Sequence, residues 1–242
     1  MNYIASITDF FKSPKWMMNL LLAGLCAFIP VVGYMVVLGW LITGFWGRQN
    51  DAPESFPDFD FNNFGKWLER GLWPILVSLV AGIVVYFFFM IPMFVVITVL
   101  GGGSHDHQHV NGLMSLISAL VILGMQLFMF LTMVFVVKPL MIKATLAQDF
   151  VKAFDITFIK SFVSLVWIEL LLSTLFVGAA SLILMLAGST ACCVGVILVP
   201  GLVYYSMTHM DKQLYNLYLS RGGAPIELSP KLSDMPPAIP GA

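Results

Sequence analysis

Long apolar stretches alternate with short polar segments along most of the chain. Residues 16–46, 71–100, 112–137, 161–186 and 194–210 are almost continuously hydrophobic. A helix needs about 20 apolar residues to cross a bilayer core of roughly 30 Å. The last four stretches therefore predict four spanning helices, the shortest of which continues past its apolar end through Asp211 and Lys212.

The first stretch predicts a different structure because it is too long and is interrupted. Its 31 residues would make a single helix of about 46 Å. Pro30 removes an amide donor and Gly33 permits a turn. These two residues predict a break between two half-helices, residues 16–28 and 34–46, that enter the membrane and return as a re-entrant hairpin. A single kinked and tilted span is the alternative. Pro200 predicts a further helix break in the last stretch.

The positive charges support the hairpin and define an orientation. All twelve Lys and Arg residues lie between the apolar stretches or at the chain ends, and the loops 101–111 and 187–193 contain none. Positively charged loops stay in the cytoplasm. The two bare loops are therefore expected outside, and both termini in the cytoplasm. Lys15 and Arg48 then lie on the same side, so the first stretch must return to the side from which it entered.

Two polar segments and the C-terminal tail complete the predicted organisation. Residues 60–70 and 149–160 each place aromatic residues at helical spacing opposite a polar face, which is typical of amphipathic helices lying in the membrane plane. Residues 222–242 contain five prolines and are predicted to be a disordered cytoplasmic tail. The prediction is one polytopic membrane domain, residues 1–221, followed by this tail. The fold class is an all-α integral membrane protein.

The composition agrees with this fold class and excludes several others. The chain is 59% hydrophobic and 10% charged, with a mean hydropathy of +0.91, whereas soluble domains carry about 25% charged residues. A soluble fold is therefore excluded for most of the chain. The net charge of −1 provides no basic surface for nucleic acid. Three cysteines are too few for a disulfide framework.

Glu169 is the charged residue that the sequence places furthest inside a spanning stretch. Counted from Ser161, it lies about 12 Å from the cytoplasmic boundary. Gln126 and Ser78 are expected within about one helical turn of that depth. The sequence predicts a polar cluster of these three residues, with a Glu169–Gln126 hydrogen bond that favours the neutral carboxyl group. Ionisable residues at membrane depth are often functional. A structural hydrogen bond between helices is favoured here over a proton relay, because relays use chains of ionisable groups.

His105, His107 and His109 alternate in the loop after three glycines. In an extended segment their imidazoles would share one face and could bind Zn, Cu or Ni. A solvated polar loop is favoured over a metal site, because the glycines leave the loop flexible and no fourth ligand is evident. No cofactor is predicted. The sequence also contains no HExxH, Walker or GxSxG motif, so no enzymatic activity is expected.

Several motifs together resemble a known family. They are the Pro-broken run Phe28-Ile29-Pro30-Val31-Val32-Gly33-Tyr34, the pair Gly47-Arg48, the linker Phe56-Pro57-Asp58-Phe59-Asp60-Phe61 followed by Phe64-Gly65-Lys66-Trp67, the triplet Ala153-Phe154-Asp155, and Cys193-Val194-Gly195-Val196 leading to Pro200 and Tyr204-Tyr205. From about residue 15 to residue 218 the chain resembles the uncharacterised prokaryotic membrane-protein family catalogued as domain of unknown function number 4013. The resemblance implies a multi-helix protein of the prokaryotic cytoplasmic membrane and assigns no catalytic residue.

Two functions follow as expectations. The first is a non-enzymatic accessory subunit, scaffold or assembly factor, whose partners are the lipid bilayer and either other membrane-protein subunits or a second copy of the chain. The second is a small permease or channel that uses Glu169 at membrane depth.

Overall fold

A computed structural model describes residues 1–48, 52–101, 112–190 and 194–232. Helix accounts for 85% of the structure, and the described residues contain no strand. The helices are α1 (Ala5–Thr8), α2 (Trp16–Ala27), α3 (Val32–Trp46), α4 (Phe64–Gly101), α5 (Gly112–Thr132), α6 (Lys138–Ala147), α7 (Phe150–Ala153), α8 (Ile156–Thr190) and α9 (Val194–Ser220). A π-helical turn, Met133–Val137, joins α5 to α6. The all-α prediction is confirmed.

Three segments are helical, long and apolar enough to cross a membrane: Phe61–Thr98, Leu116–Ala147 and Ile156–Thr190. They correspond to α4, to α5 with α6, and to α8, and each overlaps one of the four predicted spans. The fourth predicted span lies in α9, which packs along α8. The two helices are in backbone contact near the end of α8 and the start of α9, where a Cβ atom on Gly195 would lie 2.4 Å from the carbonyl oxygen of Gly188.

α3 packs against the first half of α4 through backbone contact. A Cβ atom on Gly39 would lie 1.8 Å from the carbonyl oxygen of Trp67, and one on Gly71 would lie 1.8 Å from that of Met35. Trp40 of α3 is also buried, and its ring meets Phe56 and Phe59 of the α3–α4 linker at 5.3 Å each. Phe56 and Phe59 of the linker thus fill the core beside α3.

The predicted break in the first apolar stretch occurs at Pro30 and Val31. Val31 has φ 63° and ψ −60°, and the Val32 amide donates to the Pro30 carbonyl at 2.7 Å. These values define a classic γ-turn, which is rare and strained for a β-branched residue. Gly33 lies inside α3, where a Cβ atom would lie 1.8 Å from the Cys26 carbonyl oxygen. Gly33 therefore permits close packing of α2 on α3 and is not the turn residue.

Pro200 differs from its prediction, because α9 continues through it from Val194 to Ser220. α4 likewise continues through Pro74 and Pro92. Proline is tolerated inside such helices when neighbouring groups satisfy the freed carbonyl.

The two predicted in-plane helices do not form separate helices in the structure. Residues 64–70 are the first two turns of α4, because the helix continues through Gly71 where it contacts α3. The segment 149–160 is divided at Phe154 (φ −80°, ψ 64°), which ends α7. The side chain of Asp155 then caps the start of α8 by accepting the Thr157 amide at 2.9 Å.

The first part of the predicted disordered tail packs against the helices. The Ser229 amide donates to the Leu146 carbonyl at 3.0 Å, and Leu232 is buried. Arg70 donates through Nε and Nη2 to the Lys231 carbonyl at 2.9 and 2.6 Å. These contacts extend the packed part of the chain past residue 221 to residue 232. Residues 233–242 lie outside the described residues.

Candidate functional site

Glu169 is paired with Arg221, the residue that follows α9. Arg221 Nη2 lies 2.5 Å from Glu169 Oε1, and Nη1 lies 3.0 Å from Oε2. This is the two-pronged geometry in which a guanidinium binds a carboxylate most strongly. Arg221 Nη1 also donates to the Leu165 carbonyl at 2.5 Å.

A break in α8 explains this third contact. Val166 has φ −136° and ψ 23°, outside the helical region, so α8 is kinked one turn before Glu169. A kink leaves backbone groups without their regular helical partners, and such groups must be satisfied by side chains or water. Arg221 supplies a donor to Leu165 at this point. The Glu169–Arg221 pair therefore joins the end of α9 to the kinked part of α8.

A second ion pair, which sequence reasoning missed, lies deeper in the bundle. Lys138 Nζ is 3.1 Å from Asp211 Oδ1, and the two side chains are only 8% and 13% exposed. Lys138 Nζ also lies 3.5 Å from the Thr174 hydroxyl, near the middle of α8. The pair therefore joins α6, α8 and α9. The available signal was that Lys138 and Asp211 directly follow the ends of two apolar stretches with opposite charge.

A cavity of about 630 Å³ lies beside this second pair. Its walls come from the turn between α2 and α3 and from α3, α4, α6 and α9, and they are mostly apolar. The polar groups among the lining residues include Tyr34, Ser78, Tyr204 and Asp211. Lys138 is not among the residues that line it. The Tyr34 and Tyr204 rings meet at 5.5 Å.

The structure does not bring the predicted polar cluster together. Glu169 binds Arg221, as described above, and does not bind Gln126. Gln126 is exposed on α5. The Ser78 hydroxyl donates to the Ile75 carbonyl at 2.9 Å and lines the cavity. The prediction compared the depths of residues on separate helices. Depth alone does not determine which faces of those helices are in contact.

The predicted metal ligands His105, His107 and His109 lie outside the described residues. Within residues 1–48, 52–101, 112–190 and 194–232, no group of three or more His, Cys, Asp or Glu side chains is arranged to hold a metal ion.

Asp155 forms a third polar site at the same end of the bundle. Its carboxylate accepts the Phe158 amide at 3.1 Å and binds Lys143 Nζ. The hydrogen bond from Lys143, followed by that from the Phe158 amide, lowers the pKa of Asp155 below its ordinary value. A surface cavity of about 950 Å³ lies here, between this part of the chain and residues 224–230 of the tail.

Charged residues are absent from long parts of the described helices. Residues 71–101, 112–137, 170–190 and 194–210 contain no Asp, Glu, Lys or Arg. The pairs built on Glu169, Asp211 and Asp155 all lie outside these uncharged segments. Each joins two parts of the chain that are distant in sequence or lie on different helices, so each can act as a clamp between helices.

Comparison with known proteins identifies the family and nothing beyond it. No curated protein matches the chain, and no solved structure matches it. The sequence model of one family, described as "Protein of unknown function (DUF4013)", matches residues 22–193. The match covers the break in the first stretch, the aromatic linker and the α4, α5 and α8 helices, so the chain belongs to the DUF4013 family.

Proposed function

We propose that this protein is a non-enzymatic, multi-pass protein of the prokaryotic cytoplasmic membrane that acts as an accessory subunit or scaffold by binding another membrane helix. Its partner is either a different membrane-protein subunit or a second copy of the chain. In this proposal α4, α5 with α6, α8 and α9 are four spans, α2 and α3 form a re-entrant hairpin, and both termini are cytoplasmic.

The lengths of the first helices support the hairpin. α2 has 12 residues and α3 has 15, which correspond to about 18 and 22 Å. Each is shorter than the roughly 30 Å bilayer core. α2 exposes an apolar face that includes Met17, Leu21 and Leu25, as expected for a half-helix that contacts lipid.

The observation that carries the binding role is the position of Gln126. Its side chain is exposed on α5 among Leu123, Leu127 and Phe128, which are 61%, 57% and 59% exposed. Within the described residues its amide has no hydrogen-bond partner. An amide facing lipid tails has unsatisfied donors and acceptors, and such groups drive association with another membrane helix. The face of α5 around Gln126 is therefore the proposed contact surface.

The charged groups support a structural role for the rest of the bundle. Glu169 is held by a guanidinium and is not left as an isolated acid in the membrane. Relays use chains of ionisable groups, whereas residues 71–101, 112–137, 170–190 and 194–210 contain no Asp, Glu, Lys or Arg.

The test is the native mass and composition of the protein, tagged at its C-terminus and extracted from its own membranes in mild detergent. Wild type is expected to purify with other subunits in fixed ratio or as a homo-oligomer. Gln126→Leu, which is nearly isosteric, is expected to dissociate that assembly. In the matched control, Gln126→Leu with Leu127→Gln, the amide moves to a neighbouring face of α5 and the assembly is not restored. Identical assemblies from wild type and Gln126→Leu would refute the proposed contact surface.

The second candidate function is a small permease or channel that uses Glu169, and the cavity beside the helix break favours it. In that case Glu169→Gln abolishes uptake while the protein stays folded. Normal uptake by a folded Glu169→Gln protein would exclude the relay.

A further inference from the structure

We propose that the cavity beside the Pro30–Val31 turn is a binding site for an organic cation with an apolar body, such as an aromatic or aliphatic quaternary ammonium compound. Asp211 provides the counter-charge, and Tyr34, Tyr204 and Trp46 provide an aromatic wall. This inference is independent of the Gln126 contact surface, which lies on a different helix.

The size and lining of the cavity match those of small-molecule sites. Ligand pockets typically measure about 300–1,000 Å³ and combine apolar walls with a few polar groups that fix orientation. This cavity measures about 630 Å³ and is lined mostly by apolar groups, among them Leu38, Leu79 and Met207. Four separate helices and the α2–α3 turn contribute to its walls.

The charge of the lining selects a cation over an anion. Asp211 is the charged residue among the described lining residues. Its partner Lys138 contacts Oδ1 and does not line the cavity. A carboxylate has about four lone-pair sites, so one lysine does not use its full capacity. A molecule bound in the cavity therefore contacts the carboxylate of Asp211 and not the ammonium group of Lys138.

The aromatic lining selects an organic cation over a metal ion. Tyr34, Tyr204 and Trp46 all line the cavity, and the first two rings are in contact with each other. Aromatic faces attract ammonium groups, and rings grouped around one site are the usual means of binding quaternary ammonium ligands. Metal ions of the Mg²⁺ or Ca²⁺ type need several oxygen ligands, and this lining has one carboxylate.

The strained turn is a second, independent observation at the same place. Val31 lines the cavity, and its γ-turn conformation places a β-branched residue at φ 63°. Strained backbone of this kind persists where the surrounding structure over-determines it, and it clusters at ligand clamps and switches. The strained residue and Asp211 line the same cavity.

The test uses two probes of nearly the same shape, (4-hydroxyphenyl)trimethylammonium and its neutral isostere 4-tert-butylphenol. Binding to the full-length protein in a nonionic maltoside detergent is measured by ligand-observed NMR titration. Wild type is expected to bind the cation at least about tenfold more tightly than the neutral probe. Equal affinities would overturn the proposal.

Two variants separate charge from shape. The double variant Lys138→Met with Asp211→Asn removes both charges without leaving either one buried alone, and it is expected to lose the preference for the cation while it still binds the neutral probe. Ser78→Leu fills part of the cavity and is expected to weaken both probes by about tenfold. Its control is Ser164→Leu, an exposed serine that also donates to the carbonyl three residues earlier.

The remaining outcomes also decide the question. Cation binding that survives Ser78→Leu unchanged would place the probe elsewhere and overturn the proposal. If the charge-free double variant does not fold, Tyr34→Leu replaces it as the test of the aromatic wall. Tyr34→Leu is expected to reduce cation affinity more than neutral-probe affinity, and an equal reduction of both would count against a cation site.

Discussion

Arg221 binds both carboxylate oxygens of Glu169 and, with the same guanidinium, the carbonyl oxygen of Leu165. One side chain thus donates to a backbone carbonyl at the kink in α8 and attaches the end of α9 to that helix. The acid that the sequence places inside a spanning stretch is held as part of a joint between two helices, and its opposite charge lies 52 residues away in the chain.

Breaking this joint is expected to loosen α9 from α8. Arg221→Met and Glu169→Gln should each lower the midpoint of thermal unfolding in detergent. Because the Arg221 and Glu169 side chains are 39% and 23% exposed, water screens the pair, and the effect should be smaller than that of the buried pair considered next. The charge reversal Glu169→Arg with Arg221→Glu tests the ionic origin. It should recover part of the loss, and a double variant no more stable than the singles would contradict an ion-pair role.

The buried Lys138–Asp211 pair should respond more strongly to a single substitution. Lys138→Met leaves the Asp211 carboxylate buried without its partner, which is expected to cost about 3–5 kcal/mol of unfolding free energy. Lys138→Met with Asp211→Leu removes both charges and should be close to wild type or more stable. Denaturant unfolding in detergent measures both variants. A single variant as stable as the double would show that the pair is not desolvated.

The backbone contact between α3 and α4 gives a prediction with a built-in control. Gly39→Ala places a Cβ atom 1.8 Å from the Trp67 carbonyl oxygen, so the two helices must separate, at a cost of about 1–3 kcal/mol or more. Gly82→Ala on α4 has no atom within 4 Å of the new Cβ. It should stabilise the helix by roughly 0.5–1 kcal/mol. Opposite shifts in the unfolding midpoint are the expected result, and a neutral Gly39→Ala would contradict the close crossing.

Local sequence patterns predicted the helices and the break at Pro30, whereas the partners of the charged residues depended on the three-dimensional arrangement. Apolar length and proline position act over a few residues and are visible in the chain. The partners of Glu169 and Lys138 lie 52 and 73 residues away along the chain, and each depends on which faces of α8, α9 and α6 meet. Gln126 was predicted to meet Glu169 but is exposed on α5.

The aromatic linker between α3 and α4 is a second case in which local sequence patterns did not predict the packing partners. The spacing of Phe61, Phe64 and Trp67 is compatible with an in-plane helix. In the structure Phe56 and Phe59 are buried against Trp40, and Trp67 joins the same core. Periodicity identifies an apolar face, but the partner of that face is decided by the packing of α3.

Acid should weaken the start of α8 through Asp155. Its carboxylate is stabilised in the folded protein by Lys143 and by the Phe158 amide, so its pKa is lowered on folding. A lowered pKa contributes stability that is fully present above the unfolded pKa of about 3.9. That stability is lost as the pH falls through the lower folded value. Asp155→Asn should therefore reduce stability at neutral pH and flatten its dependence on pH below about 4. An unchanged acid limb in Asp155→Asn would assign that limb to other carboxylates.

The orientation of the bundle leads to the last prediction, which separates a re-entrant hairpin from a single kinked span. If α2 and α3 enter and leave from the same side, single cysteines introduced at Lys12, Glu54 and Asn50 all face the cytoplasm, while one at Asn111 faces outside. Lys12 and Glu54 are exposed and flank the α2–α3 hairpin in the chain. The measurement is labelling of intact cells by a membrane-impermeant maleimide, with Cys192 and Cys193 replaced by serine and the buried Cys26 retained. Labelling at Asn111 alone is expected. Labelling at Lys12 together with Asn111 would instead make residues 16–46 one kinked span, because only a full crossing puts Lys12 and Glu54 on opposite sides.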